Sequence, residues 1–195
     1  ILRALGINPT VFHANEGHTS FMLLERAREL VQQGQTFEEA AEQVRATSLF
    51  TTHTPVPAGH DAFPIHMMEK YFAGYWDDLG ISKQQFMDLG RFGDSFNMTV
   101  LALNMTKWRN GVSHLHGRVS RRMWHVVWPQ VPEDQVPITA VTNGVHAPTW
   151  IAPELGLLFD RYLGEEWVER HDDIPFWNRV MDIPDEEVWE VHQFL

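Results

Sequence analysis

The sequence predicts an α/β fold in which helices flank a Rossmann-like parallel sheet, and three observations support this prediction. Short β-branched and aromatic runs alternate with longer stretches of helical periodicity. Polar, turn-forming residues follow each of these short runs, which would place polar groups along one edge of the sheet. The chain has 195 residues, of which 44% are hydrophobic, and this length is enough to bury a sizeable core.

The first two predicted strands enclose two helices. "TVFHAN", residues 10–15, is β-branched and aromatic and predicts a short buried strand. A helix should follow over "TSFMLLERARELVQQG", beginning near Thr19 and ending at Gly34. The spacing of "TFEE" is that of a capping box, which predicts a second helix through "AAEQVRA". "SLFTTH", residues 48–53, is the second predicted strand.

The rest of the chain continues the alternation. Helical stretches are predicted around "IHMMEKYFAGYW", "SKQQFMDLG" and "FNMTVLALNMT". A third strand is predicted at "GVSHLH", residues 111–116, and a fourth at "PITAVT", residues 137–142, with the helix "RVSRRMWHVVW" between them. "TWIAPELGLLFDRYL" and "PDEEVWEVHQFL" predict further helices.

The polar segments after the strands locate a candidate site. They are "NEGH" (15–18), "HTPVPAGHD" (53–61), "HGR" (116–118) and "NGVH" (143–146). If the strands are parallel, these four segments converge on one edge, where ligands of open α/β sheets bind.

"NEGH" combines an amide, a carboxylate and an imidazole. One interpretation is hydrogen bonding to a polyol, in which Glu16 accepts while Asn15 and His18 donate or accept. The alternative is helix capping beside a satisfied buried histidine.

"TTHTPVPAGH" has the composition of a stiff loop. Pro55 and Pro57 restrict the backbone, and Gly59 allows a turn or a close backbone approach. The loop either presents His53 and backbone groups to a ligand or serves only as a rigid connector.

His114 and His116 would share one face of the third predicted strand, a spacing that metal sites use. A third ligand at a recognisable spacing is missing, and the chain contains no cysteine. A histidine-liganded metalloenzyme therefore stays an alternative.

Charge and hydropathy exclude several classes of protein. The net charge of −11 argues against a general nucleic-acid or anionic-membrane binder, because such binding needs clustered Lys and Arg. No apolar run approaches the roughly 20 residues of a membrane span. The lack of cysteine is compatible with a cytoplasmic location, which we predict.

Four blocks of the sequence resemble a known family. "HANEGHTSFMLLERARELV", "FTTHTPVPAGHDAFP", "NGVSHLHGRVSRRMW" and "PITAVTNGVHAPTWI" are similar to the α-glucan (glycogen, starch or maltodextrin) phosphorylases, of bacterial or archaeal type. The blocks occur in the family's order and span most of residues 11–151.

The resemblance implies a GT-B glycosyltransferase with two Rossmann-like domains. Such enzymes transfer the terminal glucosyl unit of an α-1,4-glucan to phosphate and give glucose 1-phosphate with retention. They use pyridoxal phosphate, bound to a lysine, and commonly dimerise. Lys70, Lys83 and Lys107 lie in contexts that predict helices, and none resembles the lysine motif, so no cofactor is expected on this chain.

The resemblance also implies roles for individual residues. His53 would be catalytic, contacting the sugar and supporting an oxocarbenium-like transition state through its backbone carbonyl. The remaining implied site residues are substrate-binding, with Asn143 contacting the glucose hydroxyls: Asn15, Glu16, His18, Thr54, Gly59, Asn143 and Gly144.

Both ends of the sequence predict an internal fragment, since it begins without methionine and stops inside an amphipathic helix. Residues 1–143 would be the C-terminal portion of the N-terminal Rossmann-like domain. Residues 144–195 would hold the crossover and first helices of the C-terminal domain. Such a fragment is expected to be inactive alone. A non-catalytic α-glucan-binding module is the alternative.

Overall fold

The computed structural model describes residues 2–195 and divides into two compact units, Ile1–Asn143 and Gly144–Leu195. The strands of the first unit are β1 (Phe12–Asn15), β2 (Ser48–Thr52), β3 (Ala62–Pro64), β4 (Arg91–Phe92), β5 (Ser95–Asn97), β6 (Trp108–Gly111) and β7 (Thr139–Ala140). Its helices are α1 (Phe21–Val31), α2 (Phe37–Ala46), α3 (Ile65–Tyr71), α4 (Tyr75–Asp78), α5 (Lys83–Asp88), α6 (Met98–Met105) and α7 (His114–Trp124).

The main sheet has four strands in the order β1-β2-β6-β7, and every neighbouring pair is parallel. In its register Asn15 lies opposite Thr51, and Thr52 lies opposite Gly111. The carboxyl ends of all four strands therefore meet at one edge. The prediction of a parallel α/β sheet is confirmed.

Local signals placed the first half of the sheet correctly. The predicted strands at 10–15 and 48–53 match β1 and β2. Thr36 and Glu39 form the predicted capping box at the start of α2. Gly34 has a φ of 99°, which glycine tolerates without steric cost and which ends the turn that follows α1.

The prediction of a third strand at 111–116 is wrong. The strand lies earlier, at β6, and the chain enters α7 at His114. The Ser113 hydroxyl caps this helix by accepting a hydrogen bond from the His116 N–H at 3.0 Å. His114 and His116 thus stand two positions apart in a helix, where they do not share a face. Lys107 also departs from its predicted helical context, because it lies between α6 and β6.

Two glycines bring β6, α7 and β7 close together. A β-carbon at Gly111 would stand 2.9 Å from the Gly117 nitrogen and 2.8 Å from the His116 Nδ1. A β-carbon at Gly117 would lie 3.0 Å from the β-carbon of Ala140 on β7. The main sheet and α7 therefore approach each other at a spacing that only glycine allows.

A small antiparallel sheet, which we did not predict, anchors the loop that follows β2. It has the strand order β3-β5-β4. Ala62 of β3 pairs with Asn97 of β5, and the adjacent Asp61 carbonyl accepts the Met98 N–H at 3.0 Å. The loop between β2 and β3 is consequently held at both ends.

Buried side chains form two apolar clusters in the first unit. One packs α1, α2 and α5 around Phe86 and Phe96, which are both fully buried. The other surrounds Phe50 of β2 and includes Trp124 of α7. Phe50 of β2 and Ala14 of the edge strand β1 both belong to this second cluster.

The second unit is built of helices within the described chain. They are α8 (Ala147–Trp150), α9 (Pro153–Leu163), α10 (Ile174–Trp177) and α11 (Asp185–Phe194). A core of its own gathers Leu163, Trp167 and Phe176. The Tyr162 hydroxyl and the Arg161 guanidinium of α9 both donate to Glu187 of α11, which holds the two long helices together.

Candidate functional site

The site predicted at the carboxyl edge of the sheet is most fully assembled after β1 and β2. Asn15 ends β1, and Glu16 follows it directly, while His53 and Thr54 follow β2. The parallel pairing of the two strands places these four residues side by side. The first two predicted polar segments are thus brought together.

Glu16 has an unusual backbone conformation. Its φ is 62° and its ψ is 167°, and it is the one non-glycine residue with positive φ in the part of the chain that the structure describes. This region of backbone space is essentially restricted to glycine, and its cost is about 1–3 kcal/mol. The Glu16 N–H donates to the Thr51 carbonyl at 2.9 Å, which extends the β1–β2 pairing by one residue.

The Glu16 carboxylate bonds to the start of the loop after β2. Its Oε1 accepts the backbone N–H of His53 in a short hydrogen bond, and it also accepts the Thr54 hydroxyl at 3.1 Å. Its Oε2 accepts the Thr52 hydroxyl at 3.5 Å. The carboxylate therefore does not cap the following helical turn, and the capping interpretation of "NEGH" is wrong for Glu16.

His53 is exposed to solvent, yet it is tied to β1 twice. Its backbone N–H donates to Glu16, and its Nε2 lies 3.0 Å from the Asn15 Oδ1. A proton on the His53 Nε2 makes this contact a hydrogen bond, which the Asn15 Oδ1 accepts. An exposed imidazole with both of these contacts is held in one orientation.

The rest of the loop is folded back on itself. Pro57–Gly59 form a 3₁₀ turn, and a β-carbon at Gly59 would lie 2.6 Å from the methyl group of Thr54. At its end His60 is only 9% exposed, with Nδ1 2.8 Å from the Thr99 hydroxyl. Its ring meets Trp124 edge to face at a centroid distance of 4.8 Å. The end of the loop is thus held by packing and by a hydrogen bond at His60.

Burial shifts the titration of His60. Desolvation lowers the pKa of His60, and the nearby Glu16 and Asp61 carboxylates oppose that shift without overcoming it. His116 adds to the lowering. His60 is therefore a neutral imidazole at pH 7, and its role in the loop is to pack and to hydrogen-bond.

His18 differs from its neighbours in "NEGH". It lies in the 3₁₀ turn Gly17–Thr19, is exposed, and makes no side-chain hydrogen bond in the region the structure describes. Gly17 beside it is buried, and a β-carbon there would stand 3.0 Å from the Thr99 hydroxyl. The turn thus presents His18 outward while it packs against α6.

The ends of β6 and β7 contribute Asn143 to the same edge. The Asn143 N–H donates to the Val112 carbonyl at 3.1 Å, and its side chain is exposed. The predicted segment "HGR" does not follow a strand, since it lies in the first turns of α7. His116 there is buried and accepts the Val112 N–H at 3.2 Å, so it is not a ligand group at the edge. Gly144 belongs to the second unit.

Other features of residues 2–195 bear on function. No group of three or more His, Cys, Asp or Glu side chains among them is placed to hold a metal ion. None of their helices has both the length and the apolar character that crossing a membrane requires. A groove of about 550 Å³ lies beside α1, lined by residues such as Arg3, Phe12 and Glu29, and it shares no lining residue with the carboxyl ends of the strands.

Comparison with known proteins gives a consistent result. Maltodextrin phosphorylase of Thermococcus litoralis is 46% identical over 98% of this chain, which corresponds to 23% of that protein. Glycogen phosphorylase of Aquifex aeolicus is 42% identical over 98% of the chain and 28% of the relative. The corresponding values for glycogen phosphorylase of Mycobacterium tuberculosis are 40%, 96% and 22%. The chain is homologous to part of the α-glucan phosphorylases.

The resemblance to bacterial and archaeal phosphorylases is thereby confirmed. The chain spans about a quarter of the length of these curated relatives, as the shares of 23%, 28% and 22% show. No family model matches the chain.

Proposed function

We propose that this chain is a segment of an α-1,4-glucan phosphorylase of GT-B architecture. The full-length enzyme transfers a terminal glucosyl unit to inorganic phosphate and gives glucose 1-phosphate with retention. The observation that carries the proposal is the 40–46% identity to phosphorylases over nearly the whole chain. In this proposal residues 1–143 close the N-terminal domain and residues 144–195 begin the C-terminal one.

The geometry at the strand ends supports a sugar site. Each neutral hydrogen bond contributes only about 0.5–1.5 kcal/mol, so several donors and acceptors must converge on one sugar. His53 is the proposed catalytic residue, acting on the glucosyl unit through its backbone carbonyl. Asn143, whose exposed amide has no intramolecular partner in the described chain, is proposed to bind glucose hydroxyls.

The other residues proposed to contact the sugar differ in how many of their polar groups already have a hydrogen-bond partner within the chain. His18 is exposed, and the Asn15 amide retains its donor group while its Oδ1 meets His53. Thr54 and Glu16 bond to each other, so their oxygens are already engaged. Gly59 and Gly144 offer only backbone groups.

Pyridoxal phosphate is proposed for the full-length enzyme, but the lysines described here do not fit it. A Schiff base needs an amine that is free and enclosed. Lys83 pairs with Glu69 at 2.6 Å, and the Lys70 and Lys107 amines lie over the neighbouring Tyr71 and Trp108 rings on the surface. The cofactor is therefore assigned outside this chain, which we propose is inactive alone.

The test is a phosphorolysis assay on the full-length protein. Maltoheptaose and inorganic phosphate should give glucose 1-phosphate, and Asn143→Ala should lower kcat/KM at least tenfold. His66→Ala is the matched control, since His66 is exposed on α3 and lies outside the proposed site. Full-length protein that forms no glucose 1-phosphate, or lacks the near-ultraviolet absorbance of bound pyridoxal phosphate, would refute the proposal.

A non-catalytic α-glucan-binding module is the second candidate. The specific observation in its favour is that proposed sugar contacts occur here without a lysine that fits the cofactor. Titration of the chain with maltoheptaose, followed by tryptophan fluorescence, tests it. Saturable binding that weakens in Asn143→Ala, combined with no phosphorolysis by the full-length protein, would favour this candidate.

A further inference from the structure

We propose that Glu16 is a positioning residue, which acts by holding the peptide of His53, and is not itself a contact for the glucan. This inference rests on the proposed function, and it changes the role expected for Glu16 from its resemblance to substrate-binding residues. It concerns the same site but assigns a different task to its carboxylate.

The first support is where the carboxylate oxygens go. Three successive residues, the last of β2 and the two that follow it, donate to them: the hydroxyl of Thr52, the backbone N–H of His53 and the hydroxyl of Thr54. Hydrogen bonds to an ionised carboxylate are roughly twice as strong as those between neutral groups. A carboxylate has about two acceptor positions on each oxygen, so Oε1, which accepts from both His53 and Thr54, has none left for sugar hydroxyls.

The second support is the strained backbone of Glu16. A φ of 62° with a ψ of 167° persists only where surrounding contacts over-determine it, and such residues cluster at functional sites. Here the Glu16 N–H donates to Thr51, and the Glu16 carbonyl accepts the Thr19 hydroxyl at 2.8 Å. Both backbone polar groups and both carboxylate oxygens are engaged, which keeps the side chain directed across to β2.

These bonds determine what His53 can offer to a ligand. Oε1 of Glu16 accepts the backbone N–H of His53 and the side-chain hydroxyl of Thr54, and these two donors flank the peptide group that carries the His53 carbonyl. The His53 ring is held separately by Asn15. The His53 carbonyl accepts no hydrogen bond within the described residues, so it stays available to a ligand.

A carbonyl oxygen held in place is suited to an electron-poor sugar carbon. A fixed dipole aimed at developing positive charge needs no reorganisation when the charge forms. A displacement of about 1 Å can lower a rate about 10²-fold. Glu16 would thus affect the chemical step through His53, with little effect on how tightly the glucan binds.

The first experiment separates positioning from direct contact in the full-length enzyme. Glu16→Gln keeps an amide oxygen that can accept from His53 and Thr54, whereas Glu16→Ala removes every acceptor. We expect Glu16→Ala to lower kcat about 10²-fold with KM for maltoheptaose changed less than threefold, and Glu16→Gln to recover most of that kcat. Glu38→Gln and Glu38→Ala, on the exposed face of α2, are the matched controls.

The opposite pattern would overturn the inference. If Glu16 binds the glucan directly, Glu16→Ala raises KM, the increase depends on glucan length, and kcat is retained. If the carboxylate acts by its charge, Glu16→Gln is as impaired as Glu16→Ala.

A second measurement reports on the bond itself and is independent of activity. In the full-length protein selectively labelled with ¹⁵N-histidine, the His53 amide proton should resonate downfield because it donates to a carboxylate. It should shift upfield in Glu16→Ala, less so in Glu16→Gln, and not at all in Glu38→Gln. If the chemical shift of the His53 amide proton does not change in Glu16→Ala, the positioning role is refuted even in an active phosphorylase. If the chemical shift changes in a full-length protein that catalyses no phosphorolysis, the proposed function fails, while the hydrogen bond from His53 to Glu16 is confirmed.

Discussion

The two halves of the carboxyl edge are held by different means. After β1 and β2, side chains make the connections, with Glu16 and Asn15 both bonded to His53. After β6 and β7, the chain is held mainly by backbone groups, such as the Asn143 N–H on Val112, and by the close approach of Gly111 to Gly117. The first half is ordered by polar contacts that a substitution can remove singly, and the second half by steric fit.

The two halves therefore differ in whether their polar side chains already make hydrogen bonds within the chain. On the β1–β2 side, the carboxylate of Glu16 and the ring of His53 are engaged before any ligand arrives. On the β6–β7 side, the side-chain amide of Asn143 makes no hydrogen bond in the part of the chain described. One half of the edge is therefore suited to fix geometry and the other to bind.

The largest loss of stability should come from the glycine contact. We expect Gly111→Ala to lower the free energy of unfolding by about 3 kcal/mol, because its β-carbon would meet the backbone of Gly117 at 2.9 Å. Gly144→Ala is the control, since a β-carbon there meets nothing within 4 Å. Urea denaturation of both variants measures the difference. Equal stabilities would mean that the β6–α7 contact is looser than described.

Removal of the Glu16 side chain should have a smaller effect that depends on the replacement. Glu16→Ala loses the hydrogen bonds and keeps the strained φ of 62°, so we expect a loss of about 2 kcal/mol. Glu16→Gly loses the same bonds but adopts this φ without strain, and should be about 1 kcal/mol more stable than Glu16→Ala. Thermal unfolding of the pair gives the order. A less stable Glu16→Gly would show that the backbone of residue 16 is not strained.

The loop of the first half should also respond to pH through His60. Because burial lowers the pKa of His60, the unfolded chain takes up this proton before the folded chain does. The stability that neutral His60 contributes is complete above the pKa of an unfolded histidine, about 6.5. It is lost as the pH falls from there through the lower pKa of His60 in the folded chain. His60→Asn should remove that part of the pH dependence, while His66→Asn on the surface should not. If the free energy of unfolding of His60→Asn depends on pH between 7 and 5 as strongly as that of the unchanged protein, this prediction is wrong.

The smallest effect is expected at Asn143. Its side chain is exposed and makes no intramolecular hydrogen bond in residues 2–195, so Asn143→Ala should change the free energy of unfolding by less than about 0.5 kcal/mol. Any large effect of this variant on glucan binding would then be a direct one. A destabilised Asn143→Ala would remove the distinction between the two halves.

The sequence was most informative where signals are local. β-branched runs, the capping box at Thr36 and the stop at Gly34 identified β1, α2, β2 and the end of the first helical segment. The third strand was misplaced because "WRNG" has no strong strand propensity, whereas "GVSHLH" alternates like a strand. Ser113, which caps α7, was the available signal for a helix start at His114.

For the candidate site too, the sequence predicted what depends on local signals and missed what depends on contacts between distant segments. Strand-end reasoning brought Asn15, Glu16 and His53 to one edge, and the structure places them there. The roles of single groups depend on contacts between segments that are distant in sequence, such as Glu16 with His53. No pattern in "NEGH" indicates that its glutamate has a positive φ or reaches across to β2.

The strain at Glu16 has a consequence for how this edge forms. A cost of about 1–3 kcal/mol means that, before folding, residue 16 occupies its native conformation about 5- to 150-fold less often than an unstrained residue would. The bond that offsets this cost joins residues 37 positions apart in the chain. A loop of that length must close first, so the carboxyl edge of the sheet is expected to assemble after β1 and β2 have paired, late among the folding events of this sheet.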